Sequence, residues 1–278
     1  MTGKKFFRTP QFVALIWLCA IVILWESSAF MIADVLQDKM AAIKLPYLHT
    51  VLLTIAKNFP MLIHACAITA SRAVLGFLLG TLIGFLLAIL MSLFVSVEKM
   101  LYPYLLLSQM VPVLGLAPVV ISIVRKAKIG PFVIPASDIT RVIIAAYITF
   151  FPVATNMLAG LKSVDSDKKK LMFSYAANKA TVYRKLMLPF SLPYLFSGMK
   201  ISAPLAVTAS ILVDSLGAAE GIGYNLTYAL YTGSYQIFWA SVVFSAAMGI
   251  LSYYLVVVLE RVCLPWKPVQ KGNGRKNS

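Results

Sequence analysis

The sequence predicts an all-α integral membrane protein with about six transmembrane helices, and the prediction rests first on composition. Of the 278 residues, 60% are apolar and 13% are charged, and the mean hydropathy is +0.85. A soluble globular protein is about 45–50% apolar and about 25% charged. About six apolar stretches reach the roughly 20 residues that a helix needs to cross a hydrocarbon core of about 30 Å. Little of the chain remains for a large catalytic or ligand-binding domain outside the membrane.

The apolar stretches set the order of the predicted elements. The spans are expected, in chain order, at about 12–32, 61–95 (with the membrane part beginning near Arg72), 103–124, 141–161, 192–213 and 237–259. We divide the chain into an N-terminal span and outer segment (1–60), a core (61–262) and a basic tail (263–278). A polar insertion at about 162–188 interrupts the core, and a Gly-rich stretch at 216–223 separates the last two spans.

The distribution of basic residues predicts the topology. Cytoplasmic segments of membrane proteins carry an excess of Lys and Arg, and here sixteen of them fall in the predicted inner segments against six in the outer ones. Both termini and the 162–188 insertion are therefore expected in the cytoplasm. The basic cluster at 125–128, on the predicted outer side, is an exception. The net charge of +15 is explained by this orientation signal, and no nucleic-acid partner is expected.

Residues that usually carry catalysis or bind metals are sparse. The three cysteines, Cys19, Cys66 and Cys263, lie in or beside apolar runs without paired spacing, and His49 and His64 are isolated. This pattern favours small buried side chains over a disulfide or metal set. The chain contains no Gly-x-x-x-x-Gly-Lys-Ser/Thr loop. We therefore predict no catalytic residues, no metal site and no cofactor in this chain, and any ATP and Mg²⁺ would bind a partner chain.

Three glycines, Gly76, Gly80 and Gly84, recur every four residues in the second apolar stretch. In lipid, small residues at this spacing allow two helix backbones to approach closely. An intramolecular helix contact is the expected use, and pairing between subunits is the alternative.

The 162–188 insertion predicts two short helices that project from the inner membrane face. Asp165 or Ser166 can cap the first helix, and Asn178 can cap the second. Leu171, Met172 and Tyr175 form an apolar stripe on the first helix, among several lysines. Such a stripe suits docking of another protein, but an amphipathic helix lying among lipid headgroups is equally compatible with it.

The end of this insertion resembles the signature loop of ABC importer permeases. The run Val182-Tyr183-Arg184-Lys185-Leu186-Met187-Leu188-Pro189 matches its Leu-Pro end and its Arg. In the family pattern a Glu-Ala-Ala triplet, three residues and a Gly precede this run. The triplet falls here on Lys170-Leu171-Met172 and the Gly on Ala176, so both depart from the pattern, whereas Asn178 stands at a helix cap that is usually Ser or Thr.

The resemblance extends from about residue 49 to residue 266 and is greatest to the branch that imports nitrate, sulfonates, taurine or bicarbonate. The stretches that carry it are His64 to Gly84, Tyr102-Pro103 to Ala117-Pro118, Phe150-Phe151-Pro152, Leu216-Gly217 to Gly223-Tyr224 and Leu259-Glu260-Arg261. The usual Trp-Phe-Gly-like segment is replaced by Ser122-Ile123-Val124-Arg125-Lys126. Related branches carry thiamine precursors or riboflavin, so the resemblance implies a small anion, a sulfonate or a vitamin precursor as substrate.

The resemblance implies a type I importer permease fold in a bacterial inner membrane, surrounded by lipid. Two permease subunits, by expectation a homodimer, would form the pathway, with two ATPases on the inner side and an external binding protein that delivers substrate. The implied ATPase-coupling residues are Lys170, Leu171, Met172, Tyr175, Ala176, Ala177, Asn178, Arg184 and Pro189. The candidates for the substrate pathway are Ser108, Gln109, Ser210 and Asp214, because polar side chains within spans are costly unless they face protein or water. Asp214 could contact a cationic group or equally cap the outer end of its helix, and for the other three hydrogen bonding between helices is the more expected use.

Two other classes of protein remain as alternatives. A polytopic membrane enzyme would need clustered acidic residues, a nucleophile with a base, or a phosphate-binding loop, and the sequence shows none of these. A secondary transporter would favour carboxylates in the middle of the membrane and repeated halves with broken helices. The sequence shows no convincing repeat and few charges within the spans.

Overall fold

Long apolar helices dominate the computed structural model, which describes residues 10–124, 127–129 and 132–266. The helices are α1 (Pro10–Phe30), α2 (Ala41–Lys44), α3 (Leu48–Leu93), α4 (Val95–Ser108), α5 (Val113–Ile123), α6 (Ala136–Lys162), α7 (Ser166–Ser174), α8 (Lys179–Val182), α9 (Leu188–Ser215), α10 (Ile222–Tyr231) and α11 (Tyr235–Cys263). Two π-helical turns, Met31–Val35 and Tyr183–Met187, follow α1 and precede α9. The core lies where α3, α6 and α9 pack together, and α11 packs against α9, α10 and α3.

Four helical stretches of the described chain are long and apolar enough to cross a membrane: α3, α6, the continuous stretch Lys179–Ser215, and α11. The pair α4 and α5 gives a fifth if it is counted as one broken span. Helix α1 has 21 residues, which at about 1.5 Å per residue is also the length of a span. The all-α membrane fold is therefore confirmed, and about six spans are reached when α1 and the broken pair are included.

The prediction of a continuous span at 103–124 is wrong. The chain bends by 97° between α4 and α5, and α5 begins directly after Pro112. Proline lacks the N–H that would continue a helix and disfavours helical backbone at the preceding residue. Gln109 consequently lies exposed at the break rather than within a straight span.

Helix α3 is longer than predicted, because it begins at Leu48 rather than near residue 61. Its backbone leaves the helical region at Asn58 (φ −109°, ψ 16°), two residues before Pro60. A proline ring inside a helix clashes with the carbonyl of the residue four positions earlier, which explains the kink. At about 1.5 Å per residue, the 46 residues of α3 extend roughly twice the thickness of a hydrocarbon core.

The segment between α1 and α3 is fixed to α11 by two tryptophans. Trp25 and Trp239 pack edge to face with ring centroids 5.4 Å apart. The Trp25 indole donates to the Pro46 carbonyl (2.9 Å), and the Trp239 indole donates to the Ile43 carbonyl (3.1 Å).

A charged turn lies within this same segment. The Asp38 carboxylate accepts hydrogen bonds from the Lys44 ammonium and from the Met40 N–H. Hydrogen bonds to the ionised form favour it, so the one from Lys44, followed by the one from Met40, lowers the pKa of Asp38 below its ordinary value.

A short antiparallel hairpin, which the sequence analysis did not predict, connects α5 to α6. Its strands are β1 (Ala127–Ile129) and β2 (Phe132–Ile134), with Ala127 opposite Ile134. Arg125 and Lys126 of the basic cluster lie outside the described residues. The same holds for residues 1–9 and for residues 267–278, which are most of the predicted basic tail.

Candidate functional site

The 162–188 segment contains two short helices that begin at side-chain caps. The Asp165 carboxylate accepts a hydrogen bond from the Asp167 N–H (2.9 Å) at the start of α7. The Asn178 side chain accepts one from the Thr181 N–H (2.8 Å) at the start of α8. Such a cap satisfies an otherwise free N–H group of the first turn and contributes about 1 kcal/mol.

Helix α7 ends in a Schellman motif at Ala176. The Ala177 N–H donates to the Met172 carbonyl (3.1 Å), and the Ala176 N–H donates to the Phe173 carbonyl (3.0 Å). Ala176 has a φ of +55°, in the left-handed region where glycine is favoured over any residue with a Cβ atom. Ala176 is the position at which the resembling family has Gly, so the backbone conformation explains that residue type.

The apolar side chains of α7 are largely exposed. Leu171 is 57% exposed, Phe173 47% and Tyr175 80%, whereas Met172 is half-buried. The sequence analysis selected Leu171, Met172 and Tyr175 and missed Phe173, which lies off the stripe of residues spaced three and four apart. Large exposed apolar groups on a short protruding helix form a surface that suits contact with a protein or with lipid.

The 162–188 segment is attached to the bundle at three points. Val182 is buried, the Tyr183 hydroxyl hydrogen-bonds with the Ser92 hydroxyl near the end of α3 (2.7 Å), and Lys162 forms an ion pair with Glu98 of α4. The helix that leaves the segment continues directly into α9. Because α6 leads into the segment and α9 leaves it, any displacement of the segment acts on both helices.

The remaining predicted residues of this segment lie on its surface. Lys170 is exposed and forms an ion pair with the equally exposed Asp167 (3.2 Å). Arg184 and Pro189 are exposed, and Ala177 is half-buried. The structure therefore gathers the predicted set on one segment, with most of its side chains accessible.

A buried arginine lies at the opposite end of the bundle. Arg141, near the start of α6, is 0% exposed. Its Nε atom is 2.5 Å from Asp214 Oδ1 in α9, one terminal nitrogen is 2.5 Å from Asp138 Oδ1, and the other donates to the Glu220 carbonyl (2.8 Å). A buried charge is tolerated only when it is paired and hydrogen-bonded. Both terminal nitrogen atoms of Arg141 donate hydrogen bonds, and Nε faces Asp214 Oδ1 as an ion pair without hydrogen-bond geometry.

Arg72 of α3 completes this ionic cluster, because it lies 2.8 Å from Asp138 Oδ2. The cluster (Arg72, Asp138, Arg141 and Asp214) contains two positive and two negative side chains, so their formal charges cancel. The sequence analysis named Asp214 as a pathway candidate but missed the other three as its partners. Charged residues at the ends of apolar spans are a usable signal, although spacing along the chain does not reveal which of them pair.

Asp214 and Thr69 together cap the start of α10. Asp214 Oδ2 accepts from the Thr69 hydroxyl (2.5 Å) and from the Gly223 N–H (3.4 Å), and Thr69 Oγ1 accepts from the Ile222 N–H (3.0 Å). The first residue before α10 is Gly221, which has no side chain to serve as a cap. The first two N–H groups of α10 are therefore satisfied by side chains of α9 and α3.

The glycines of this turn leave room for that arrangement. A Cβ atom at Gly221 would lie 2.3 Å from Asp214 Oδ2, and one at Gly223 would lie 2.1 Å from the Ile211 carbonyl oxygen. Gly221 also has a φ of +114°, a conformation that L-residues rarely adopt. The Gly-rich stretch seen in the sequence is thus required by the close approach of α9 to α10.

The three glycines of α3 face α6. A Cβ atom would lie 2.4 Å from Ala145 Cβ at Gly76, 1.9 Å from Thr149 Oγ1 at Gly80 and 2.4 Å from the Phe150 carbonyl oxygen at Gly84. The two helix backbones therefore approach as closely as the absence of side chains permits. The contact is within one chain and uses all three glycines.

The four predicted pathway residues are not joined to one another by any hydrogen bond in the described part of the chain. The Ser108 hydroxyl donates to the Leu105 carbonyl (2.7 Å), and the Ser108 carbonyl accepts from the Tyr147 hydroxyl. Ser210 is fully buried, and its hydroxyl has no partner among the described residues. Asp214 is held in the ionic cluster, and Gln109 is exposed at the break between α4 and α5.

An ion pair also joins α9 to α11, closer than the ionic cluster to the end of the bundle that carries the 162–188 segment. Lys200 Nζ lies 2.8 Å from Glu260 Oε2, with side chains 20% and 10% exposed. The described residues contain no group of three or more His, Cys, Asp or Glu side chains that could hold a metal ion.

A polar cavity of about 540 Å³ lies beside the end of α10. It is lined by Thr50, Leu53, Thr54 and Lys57 of α3, by Gly233 and Ser234 of the turn after α10, and by Gln236 and Ile237 at the start of α11. The turn that follows α10 therefore forms part of the wall of this cavity.

The chain is similar in sequence to a known family of transport proteins and to several of its members. Residues 80–262, more than half of the chain, match the family described as "Binding-protein-dependent transport system inner membrane component". The chain is 31% identical over 176 residues to the formylaminopyrimidine transport permease protein ThiX of Halalkalibacterium halodurans, a match that covers 63% of this chain and 66% of ThiX. It is 26% identical over 205 residues to the putative aliphatic sulfonates transport permease protein SsuC of Bacillus subtilis, covering 74% and 71%. The match to the riboflavin permease RibX of Chloroflexus aurantiacus (26%) covers 62% of this chain and 60% of that protein.

Two solved structures share the fold. An amino acid ABC transporter crystallised with histidines superimposes with a TM-score of 0.60 at 18% identity, over 76% of this chain and 97% of the other. The inward-facing MetNI methionine ABC transporter gives a TM-score of 0.59 at 16% identity, over 73% and 96%. At these identities the likeness concerns the fold alone.

Proposed function

Because the chain belongs to the family of binding-protein-dependent transport system inner membrane components, a group of multi-pass bacterial inner-membrane proteins, we propose that it is the permease subunit of an ATP-driven ABC importer. It forms the substrate pathway together with a second permease subunit, and a copy of itself is the simplest partner. An external binding protein delivers the substrate. Two ATPases at the cytoplasmic face supply the energy.

The observation that carries this proposal is the exposed apolar surface of α7. Leu171, Phe173 and Tyr175 are exposed on a capped helix that is attached directly to α6 and α9, the two core helices that pack together. The chain has no phosphate-binding loop of its own, so energy from ATP must arrive through a protein contact. The α7 surface, with Lys170 and Arg184 beside it, is the contact that we assign to the ATPase.

The proposed mechanism is a rigid-body movement between two states. Closure of the two ATPases around ATP displaces α7 and α8, and the displacement acts on α6 and α9, which the 162–188 segment connects. The pathway then changes from inward-open to outward-open. The Val182, Tyr183 and Lys162 contacts keep the segment from moving independently of the bundle.

The substrate class that we propose is a small anion, a sulfonate or a vitamin precursor. The named relatives differ in substrate, since ThiX is named for formylaminopyrimidine, SsuC for aliphatic sulfonates and RibX for riboflavin. All three are named transport permeases, which favours a transporter subunit over the membrane enzyme. The binding protein, rather than this chain, is expected to decide among the substrates.

The test is co-purification from native membranes in mild detergent, with identification of the proteins that accompany the chain. The wild-type chain should bring with it a soluble subunit that carries a phosphate-binding loop. Tyr175→Asp, combined with Leu171→Asp, should abolish that association, because two charges would then lie in an apolar contact. Tyr231→Asp is the matched control, since Tyr231 is 87% exposed but lies on α10 at the other end. Unchanged recovery of the ATPase with the α7 variant would refute the docking assignment, and a wild-type chain recovered without an ATPase would refute the importer itself.

A further inference from the structure

We propose that Arg141 is a positioning residue that makes α10 move with α6 and α9 when the importer changes state. The inference deepens the proposed function and rests on it. The 162–188 segment lies at one end of α6 and α9, and Arg141 lies about 21 residues away along α6, or roughly 30 Å at 1.5 Å per residue. Among the described residues, α10 packs against α9, α11 and α3, and Arg141 adds a connection from α6.

The first step is the geometry of the guanidinium group. It is fully buried, and its three nitrogen atoms reach three places: Asp214 at the end of α9, Asp138 within α6 and the Glu220 carbonyl just before α10. A planar guanidinium with several donors in fixed directions is suited to holding partners on separate elements at once. Arg141 therefore links the far ends of α6 and α9 and fixes the turn that leads into α10.

The first turn of α10 is stabilised by hydrogen bonds to a residue of this cluster. Its first N–H groups are capped by Asp214 and Thr69, and Gly221 and Gly223 have no space for a Cβ atom against α9. Helix α10 therefore cannot separate from the end of α9 without losing these hydrogen bonds.

The ionic cluster does not have the properties of an anion-binding site. Its two arginines and two aspartates pair with one another, and the side chains of Arg141 and Asp214 are 1% and 0% exposed. A site for a substrate anion would offer an unpaired positive charge to a cavity, and this cluster does not. Its chemistry is that of a connector between helices.

The consequence is a path from the ATPase to the opposite side of the membrane. Helices α6 and α9 pack closely along their length: Gly198 of α9 lies against Pro152 and Val153, and the Ser202 hydroxyl donates to the Thr149 carbonyl (3.0 Å). Movement at α7 is therefore carried by both helices to Arg141, and from there to α10. The turn that follows α10 lines, together with Lys57, the cavity described above, so a movement of α10 that shifts Gly233 and Ser234 would change that cavity.

The experiment uses the complete importer, with its ATPase, in lipid nanodiscs. The charge-neutral double variant Arg141→Met with Asp214→Asn removes the link from α6 but retains an amide oxygen to accept from Thr69 and Gly223. The Arg72–Asp138 pair remains intact. Environment-sensitive fluorophores are placed, in a background without the native cysteines, on Ser166→Cys at the start of α7 and on Tyr231→Cys at the end of α10. Their spectra are recorded with and without ATP and vanadate.

With the cluster intact, both fluorophores should respond to ATP. In the double variant the response at residue 166 should persist, whereas the response at residue 231 should fall, because α10 is then held by α9 but no longer by α6. Transport per ATP hydrolysed should fall as well. Lys200→Met with Glu260→Gln, which removes an ion pair between α9 and α11, is the matched control and should retain both responses.

Retention of both responses at full amplitude in the Arg141 and Asp214 variant would overturn the inference. Loss of both would also overturn it, because the cluster would then support the whole bundle rather than connect α10 to it. Failure of the intact complex to respond at residue 166, or absence of a bound ATPase, would instead refute the proposed function on which the inference rests.

Discussion

Replacement of Gly84 by alanine should destabilise the bundle through the contact between α3 and α6. The added Cβ atom would lie 2.4 Å from the Phe150 carbonyl oxygen, 2.9 Å from Val153 Cβ and 3.1 Å from the Ala154 nitrogen. None of these is the end of a flexible side chain, so the backbone of α6 must move. Restoring an ordinary contact of 3.4 Å requires a separation of about 1.0 Å at the carbonyl oxygen.

The expected cost follows from this displacement. Overpacking a well-packed contact costs about 1–3 kcal/mol, whereas replacing Gly by Ala inside a helix returns up to about 1 kcal/mol of helix propensity. Gly249 in α11 supplies the control, because a Cβ atom there would meet nothing within 4 Å. Gly249→Ala carries the propensity gain alone, so the difference between the two variants measures the packing cost.

The assay is thermal unfolding in one detergent, followed by tryptophan fluorescence and by recovery of the monodisperse species. Gly84→Ala should lower the apparent Tm by roughly several °C relative to Gly249→Ala. Equal midpoints for the two variants would show that α3 and α6 do not approach at Gly84 as described, and would refute the reasoning.

Two further predictions concern single sites. Ala176→Gly should relieve a left-handed backbone that costs an L-residue roughly 1–2 kcal/mol, so hydrogen exchange of the amides at the end of α7 should slow. Ala177→Gly is the control: Ala177 has an ordinary φ, so its replacement should speed exchange. Faster exchange in Ala176→Gly would contradict the assignment of a left-handed backbone at Ala176. Lys200→Met should destabilise the bundle by about 1–3 kcal/mol, because it removes the positive charge that lies 2.8 Å from the Glu260 carboxylate. Adding Glu260→Gln should recover part of the loss in the same unfolding assay, because a neutral amide gains less from that positive charge than a carboxylate does; no recovery would show that the two residues act independently.

Much of the fold could be predicted from the sequence, because membrane insertion depends on local composition. The apolar stretches predicted the spans that became α3, α6, α9 and α11, to within a few residues at most ends. The exception at 103–124 has a local cause, since Pro112 breaks the helix and hydropathy alone does not register a bend. The early start of α3 was missed for the converse reason: residues 48–60 are mixed in polarity, yet they continue the helix beyond the kink at Asn58.

The candidate sites differ in how far the sequence could identify them. The 162–188 segment was recognisable because its caps, its apolar stripe and its Leu-Pro end are close together in the chain. Even there, the exposure of Phe173 and the positive φ of Ala176 required coordinates, because both depend on how α7 ends.

The sequence by itself determined that this is an α-helical membrane protein and that it resembles an importer permease. These properties follow from composition, from the spacing of residues within one helix and from short motifs, all of which are local. Only the tertiary structure decided that the Gly76, Gly80 and Gly84 face packs on α6, and that Arg141 meets Asp214. Thr69 and Asp214 are separated by 145 residues, and many charged residues could have been partners for either arginine. Their pairing is set by which helices pack together, and that depends on the whole bundle.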